Sequence, residues 1–315
     1  MLLRWSPFAA LVAVGCNSSP PAGDAGIAPS SRPAAAADAP SASGTAPAPA
    51  PSASSTGAPA ADPTRLTVDG KPTQGAVLRA KVSGRVKNIS FPGHKTTILD
   101  DGEFLIGFAR EAPAKERLAL TLDDGTVLVR EFEVAQRTYE IDRIDGLPKS
   151  QVDLDAATKK KLAEAEGKLD ALRMKFGDGV CFKETFAWPV RGKIASRYGQ
   201  PRVLNGTESG PHYGVDIVAP VGAAVRAPAC GKVVFVGRNL PLSGNVLVLD
   251  HGRGLTSTFI HLQDFKRKEN DVVHQGDELA TVGLTGRTNG PHLHWGMNVY
   301  DLRVDPELLV PPMQP

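Results

Sequence analysis

At 315 residues with 41% hydrophobic side chains, the chain is long enough to build two domains with buried cores, and its composition argues against global disorder. Basic and acidic residues nearly balance, 36 against 34. No block of Lys and Arg is broad enough to neutralise a row of phosphates, which argues against nucleic acid as a partner.

The opening "MLLRWSPFAALVAVGC" reads as an export signal over residues 1–16, with Arg4, an apolar stretch from Phe8 to Val14 and the small Gly15 before Cys16. It is too short to span a bilayer. "AVGC" resembles a bacterial lipobox, whose Cys becomes the lipidated first residue of the mature protein; Ala13 departs from the usual Leu. Ordinary cleavage after Gly15 also satisfies the small-residue rule, but a Cys with no nearby partner at that place favours lipidation. On this reading the protein is exported and held in the cell envelope by an N-terminal lipid anchor, facing the periplasm. Residues 17–64 are almost wholly Ala, Pro, Ser and Gly, with Ile27 the sole aliphatic residue larger than Ala. Such a stretch cannot bury a core and reads as a disordered tether, able to reach on the order of 100 Å when extended.

Residues 65–148 predict a small β-sandwich. In "RLALTLDDGTVLVREFEV", Leu118, Leu120 and Leu122, then Leu128, Phe132 and Val134, alternate on either side of Asp124-Gly125, a dipeptide favoured in tight hairpins. His94 in "PGHK" reads as an exposed turn residue, and the segment as a spacer or docking module. Residues 149–178 predict a helical connector: Leu162, Ala165, Leu169, Leu172 and Phe176 fall three and four apart, Asp153 or Asp155 can cap the start, and Gly167 weakens the middle. The stripe suits packing against a neighbouring domain.

The segment 179–315 concentrates histidine. In "GPHLHW" an extended backbone puts His292 and His294 on one face, and in "PHYGVDIVAP" the same rule aligns His212, Gly214 and Asp216, with Gly214 leaving space between the larger groups. "LTSTFIHL" ends an alternating run with His261. His251 in "LDHGRG" and His274 in "VVHQGD" read as turn and hairpin-surface residues, and Asn205 in "RVLNG" as a loop residue upstream of the first ligand.

Together these segments resemble the lysostaphin or LytM type of zinc metallopeptidase, with its H-x-x-x-D, a downstream His-Leu and H-x-H in that order. The resemblance runs over approximately Trp188 to Val310. It implies a mainly β, antiparallel catalytic domain with a zinc groove, one zinc ion held by His212, Asp216 and His294, and a catalytic pair formed by His261 and His292. The implied activity is endopeptidase hydrolysis of peptide cross-links in bacterial peptidoglycan. Relatives that lost their ligands instead activate other wall hydrolases, a regulatory alternative that retention of every ligand here argues against. Phe259 stands where the family often has Tyr, and Gly296 where many members have Glu, departures that bear on substrate preference.

Two imidazoles and one carboxylate leave a zinc ion net positive with an open position for water, and the ion brings that water's pKa toward about 7. No H-E-x-x-H supplies a glutamate base, so His261 and His292 have to move the proton and stabilise charge on the carbonyl oxygen. Upstream segments cover the groove in several relatives, which makes restraint of activity by residues 65–178 an expectation. Cys181 and Cys230 are candidates for a disulfide in an exported protein, though sequence does not show that their strands are adjacent.

Overall fold

The computed structural model describes residues 64–175, 177 and 179–314. The export signal, Cys16, the tether up to residue 63 and Phe176 lie outside the described residues.

The first strands are β1 (Leu66–Asp69), β2 (Val77–Val82), β3 (Val86–Ser90), β4 (Glu103–Gly107), β5 (Lys115–Leu122) and β6 (Val127–Glu133). They form two antiparallel three-stranded sheets, β1-β2-β4 and β3-β5-β6. The alternation in β5 works as the pleat demands: Leu118, Leu120 and Leu122 are buried against Leu78, Phe104, Phe108 and Phe132. Gly125 at φ 84° takes the left-handed turn between β5 and β6. His94 departs from expectation. Its side chain is 7% exposed, stacked on Phe91 with ring centroids 3.8 Å apart, and its Nε2 lies 2.7 Å from Glu116 Oε2. A turn residue flanked by an aromatic and a buried carboxylate folds inward rather than out.

The chain then leaves the sandwich. β7 (Asp142–Ile144), expected as part of the sandwich, pairs instead in parallel with β9 (Arg202–Leu204). α1 (Lys149–Val152) and α2 (Ala156–Arg173) follow. Asp155 is the α2 cap, accepting from the Thr158 N–H at 2.6 Å. α2 lies against the back of the next domain. Leu169 packs with Val246 and Val248, and the buried Arg173 donates to Thr258 Oγ1.

The remaining strands are β8 (Ile194–Ser196), β9, β10 (Thr207–Ser209), β11 (Val215–Val218), β12 (Ala224–Arg226), β13 (Gly231–Leu240), β14 (Gly244–Asp250), β15 (Leu255–Ile260), β16 (Leu262–Phe265), β17 (Val272–Val273), β18 (Glu278–Val282), β19 (His292–Val299) and β20 (Leu302–Val304). Among the described residues one large antiparallel sheet runs β17-β13-β14-β15-β19-β11-β8, with β20 beside β19. A second sheet, β12-β18-β16, closes over the core of Val215, Ile217, Leu247, Leu249, Phe259, Leu293 and Trp295. The architecture is mainly β and antiparallel, as expected. Cys181 and Cys230 are joined, with Cα atoms 5.2 Å apart, tying the chain just after α2 to the start of β13. Leu105 of β4 enters the core under the large sheet and Arg137 Nη1 pairs with the buried Asp305 at 2.7 Å, so the sandwich is fastened to that sheet. No described helix is long and apolar enough to cross a membrane.

Candidate functional site

β19 lies antiparallel to β11 with His294 opposite Asp216 and His292 opposite Val218. Facing residues of an antiparallel pair share a sheet face, as do residues two apart, so Asp216, His292 and His294 stand on one side. His212 and His261 reach that side from irregular backbone, not from the strands expected for them. His212 precedes β11, its main chain bonded to Gln200 and Gly199. His261 sits between β15 and β16 at φ 62°, where the chain turns from one sheet into the other. The space at Gly214 admits the His294 ring: a Cβ there would stand 2.6 Å from its Cε1 and Nε2.

Three donor atoms converge. His212 Nε2 is 2.8 Å from His294 Nδ1, His294 Nδ1 is 2.7 Å from Asp216 Oδ1, and His212 Nε2 is 3.1 Å from the same oxygen. Tetrahedral zinc with bonds of about 2.0–2.1 Å sets its donors roughly 3.3 Å apart. An outward shift of a few tenths of an ångström therefore fits an ion among them, and two imidazoles with one carboxylate is a donor set suited to it.

The surroundings fix each donor. His212 Nδ1 lies 3.1 Å from the Arg197 carbonyl; a carbonyl only accepts, so Nδ1 carries the proton and Nε2 offers its lone pair to the site. Burial would raise the Asp216 carboxyl, but the adjoining His212 and His294 imidazoles hold it well below the usual carboxylate range. Burial pushes His294 down to about 4, against the opposing pull of Asp216, so the ring is neutral at pH 7.

His261 and His292 face each other with ring centroids 4.8 Å apart. Each donates from Nδ1 to a main-chain carbonyl, His261 to Thr285 at 2.8 Å and His292 to Gly290 at 2.9 Å, so each turns Nε2 inward. His292 Nε2 is 3.9 Å from Asp216 Oδ1. Burial, then the nearby His292 and His294, push His261 down to about 3, which leaves it a neutral acceptor. His251 and His274 stay outside this group. His274 is exposed as expected, whereas His251 is fully buried between the Cys230 carbonyl and Ser257 Oγ.

The groove is covered. A residual cavity of about 50 Å³ is lined on the site's side by Asp216, His261 and His292 and on the other by Ile144 and Leu147. β7 pairs with β9, the Asn205 amide holds both the N–H and the carbonyl of Leu147, and Arg287 donates to the Gln151 carbonyl at 3.2 Å. Asn205 is thus a loop residue, as read, whose side chain locks the cover.

Residues 210–306 match Peptidase family M23. The chain carries a peptidase family M23 domain. Over that domain it is similar to the peptidoglycan DD-endopeptidase ShyB of Vibrio cholerae, 39% identical over 95 residues, 30% of this chain and 22% of that protein. It is 37% identical over 135 residues to the cell division protein DipM of Caulobacter vibrioides, 41% of this chain and 21% of that one. It is 30% identical over 127 residues to the murein hydrolase activator NlpD of Escherichia coli, 40% of this chain and 31% of that one. The chain spans less than a third of the length of these curated relatives. A solved chain from Pseudomonas aeruginosa, described as a peptidase M23, has the same fold with TM-score 0.59 at 24% identity, over 76% of this chain and 96% of that one.

Around the M23 signature, sequence reading missed Arg202, Arg287 and the covering strand. Arg202 Nη2 donates to Asp216 Oδ2 at 2.6 Å and its Nε to Asp142 Oδ2 at 3.1 Å. Both arginines sit in short Gly-flanked stretches beside the motif, "GQPRVLNG" and "GRTNGPHLHW", and a charge inside a glycine-rich loop next to ligands is the one signal that marks them.

Proposed function

We propose that the protein is a zinc-dependent endopeptidase hydrolysing peptide cross-links of bacterial peptidoglycan. The observation that supports it most is the meeting of His212 Nε2, Asp216 Oδ1 and His294 Nδ1 within 3.1 Å of one another, beside two further imidazoles. A zinc ion, when bound by these three, supplies Lewis-acid activation of water and of the scissile carbonyl. His261, neutral and fixed through Nδ1, takes the proton of the attacking water at Nε2. His292, whose Nδ1 proton is committed to the Gly290 carbonyl, donates at Nε2 toward the carbonyl oxygen in its doubly protonated form as charge develops there, and the proton taken up by His261 then passes to the leaving amine. Arg202 holds the Asp216 carboxylate in position.

The same reading places the protein in the cell envelope, anchored by lipid at Cys16. Labelled palmitate or mass analysis of the mature N-terminus tests the anchor, and an unmodified Cys16 counts against it. The regulatory alternative draws support from the covered groove and from similarity to an activator. Digestion of purified cell walls with zinc supplied, followed by mass spectrometry of released fragments, separates the two: the endopeptidase reading expects defined peptide fragments, and walls left intact by zinc-loaded protein favour the regulator.

A further inference from the structure

Among the described residues Arg287 stands in the M23 groove with no carboxylate in ion-pair contact. It is half-buried and follows the loop that carries Thr285, whose carbonyl fixes His261. Its main-chain N–H bonds to the Leu242 carbonyl, which anchors its backbone beside the site. Among the described residues its guanidinium makes one polar contact, to the Gln151 carbonyl at 3.2 Å, and no carboxylate pairs with it. Burial, and then the like charge of Arg202, push its pKa down. Placing a guanidinium where burial and a second guanidinium both disfavour it is costly, and a fixed anion arriving from outside would offset that cost.

The location narrows the ligand. Arg287 shares the small cavity of Asp216, His261 and His292, so whatever it binds lies within a residue of the bond presented to those histidines. The guanidinium offers a planar fork of N–H groups that a carboxylate fills with two parallel hydrogen bonds, whereas the Gln151 carbonyl fills only one. The covering strand thus sets a neutral oxygen where a charged one fits better.

Resting on the endopeptidase reading, we propose that Arg287 binds a free carboxylate carried on the carbon next to the scissile nitrogen, and so selects cross-links made onto the amino group of a residue that keeps its carboxylate over neutral bridges. Two peptides present that chemistry: an amide formed on one amino group of a diamino diacid, and a chain ending in D-alanyl-D-alanine. Glycine bridges do not present it at an interior bond.

The test uses the zinc-loaded full chain as wild type and as Leu147→Ser, which loosens the cover, each with and without Arg287→Gln or Arg287→Lys. Three synthetic peptides share a D-alanyl acyl side: the diacid amide with its carboxylate free, the same peptide as a carboxamide, and the D-alanyl-D-alanine terminus. Binding by calorimetry and hydrolysis are both read. The free carboxylate should bind about tenfold or more tighter than the carboxamide. Arg287→Gln should erase that preference, mainly through KM, and Arg287→Lys should restore part of it. The ratio between the two carboxylate peptides identifies the source. Equal binding of carboxylate and carboxamide, a preference that survives Arg287→Gln, or no binding of any peptide to zinc-replete protein overturns the inference. A binding preference without hydrolysis sustains it while removing the endopeptidase reading.

Discussion

Arg202 Nη2 donates to Asp216 Oδ2 at 2.6 Å, which leaves Oδ1 of the same carboxylate to face His212 and His294. One oxygen is held by a fixed cation and the other is presented to the metal position, so Arg202 sets the rotation of the carboxylate. Outer contacts of this kind are worth roughly 10- to 100-fold in metal affinity. Arg202→Gln should therefore bind zinc that much more weakly, measured by competition with a chelator. Unchanged affinity would show that Asp216 is oriented by its histidine neighbours alone.

The five site residues should fail in two ways. His294→Ala and Asp216→Ala each remove one of three protein donors, so zinc content and activity should fall together. His261→Ala and His292→Ala leave the donor set whole and should retain zinc while losing roughly 10² to 10⁴ in kcat. Elemental analysis and wall-peptide hydrolysis on the same preparations check both. A zinc-replete His292→Ala protein with near-normal turnover would take His292 out of the mechanism.

How far the sequence showed this site depends on range. His292 and His294 were legible because a strand's period of two is local, and the register of β19 against β11 puts His294 opposite Asp216. The sandwich core was legible for the same reason in β5. Placement of His212 and His261 on strands was not sound, because the turn at His261 is imposed by a change of sheet that no local period records. β7 falls inside the 65–148 range expected for the sandwich, and its parallel pairing with β9, some sixty residues on, leaves no local mark. The inward side chains of His94 and His251 are not legible, because neighbouring glycines, with a proline at His94, mark a turn without saying which way its side chains face.

His251 predicts a pH dependence of stability. Burial lowers its pKa from 6.5 to about 4. Between those values the unfolded chain binds the extra proton, so this contribution is complete above about pH 6.5 and is lost as pH falls toward 4. The full effect is about 3 kcal/mol. Denaturant midpoints of the protein from pH 7 to 4.5 should fall accordingly, and His251→Asn should start lower but slope less. Ring titration by NMR near the ordinary histidine value would contradict the mechanism.

The cover over the groove gives the last expectation, and the fold decides how to test it. Cutting the chain near Gly177 would strip Leu105 from the core under the large sheet, break the Arg137–Asp305 pair and expose the surface under Leu169, so a slow fragment would report damage as readily as lost restraint. Point changes in the full chain avoid this. Leu147 is buried against the cavity that holds Asp216, His261 and His292, and its side chain contributes about 2 kcal/mol by burial. Leu147→Ser should raise the open population by up to roughly thirtyfold when the cover is mostly closed. Asp142→Ala, which frees Arg202 from the covering strand, should act in the same direction while leaving the Arg202 bond to Asp216 in place. Wall digestion per zinc-loaded molecule should rise in both variants, and hydrogen exchange of residues 142–152 should quicken with it. Faster exchange with no gain in digestion would mean that the segment opens without limiting access, and that its place in the groove is structural.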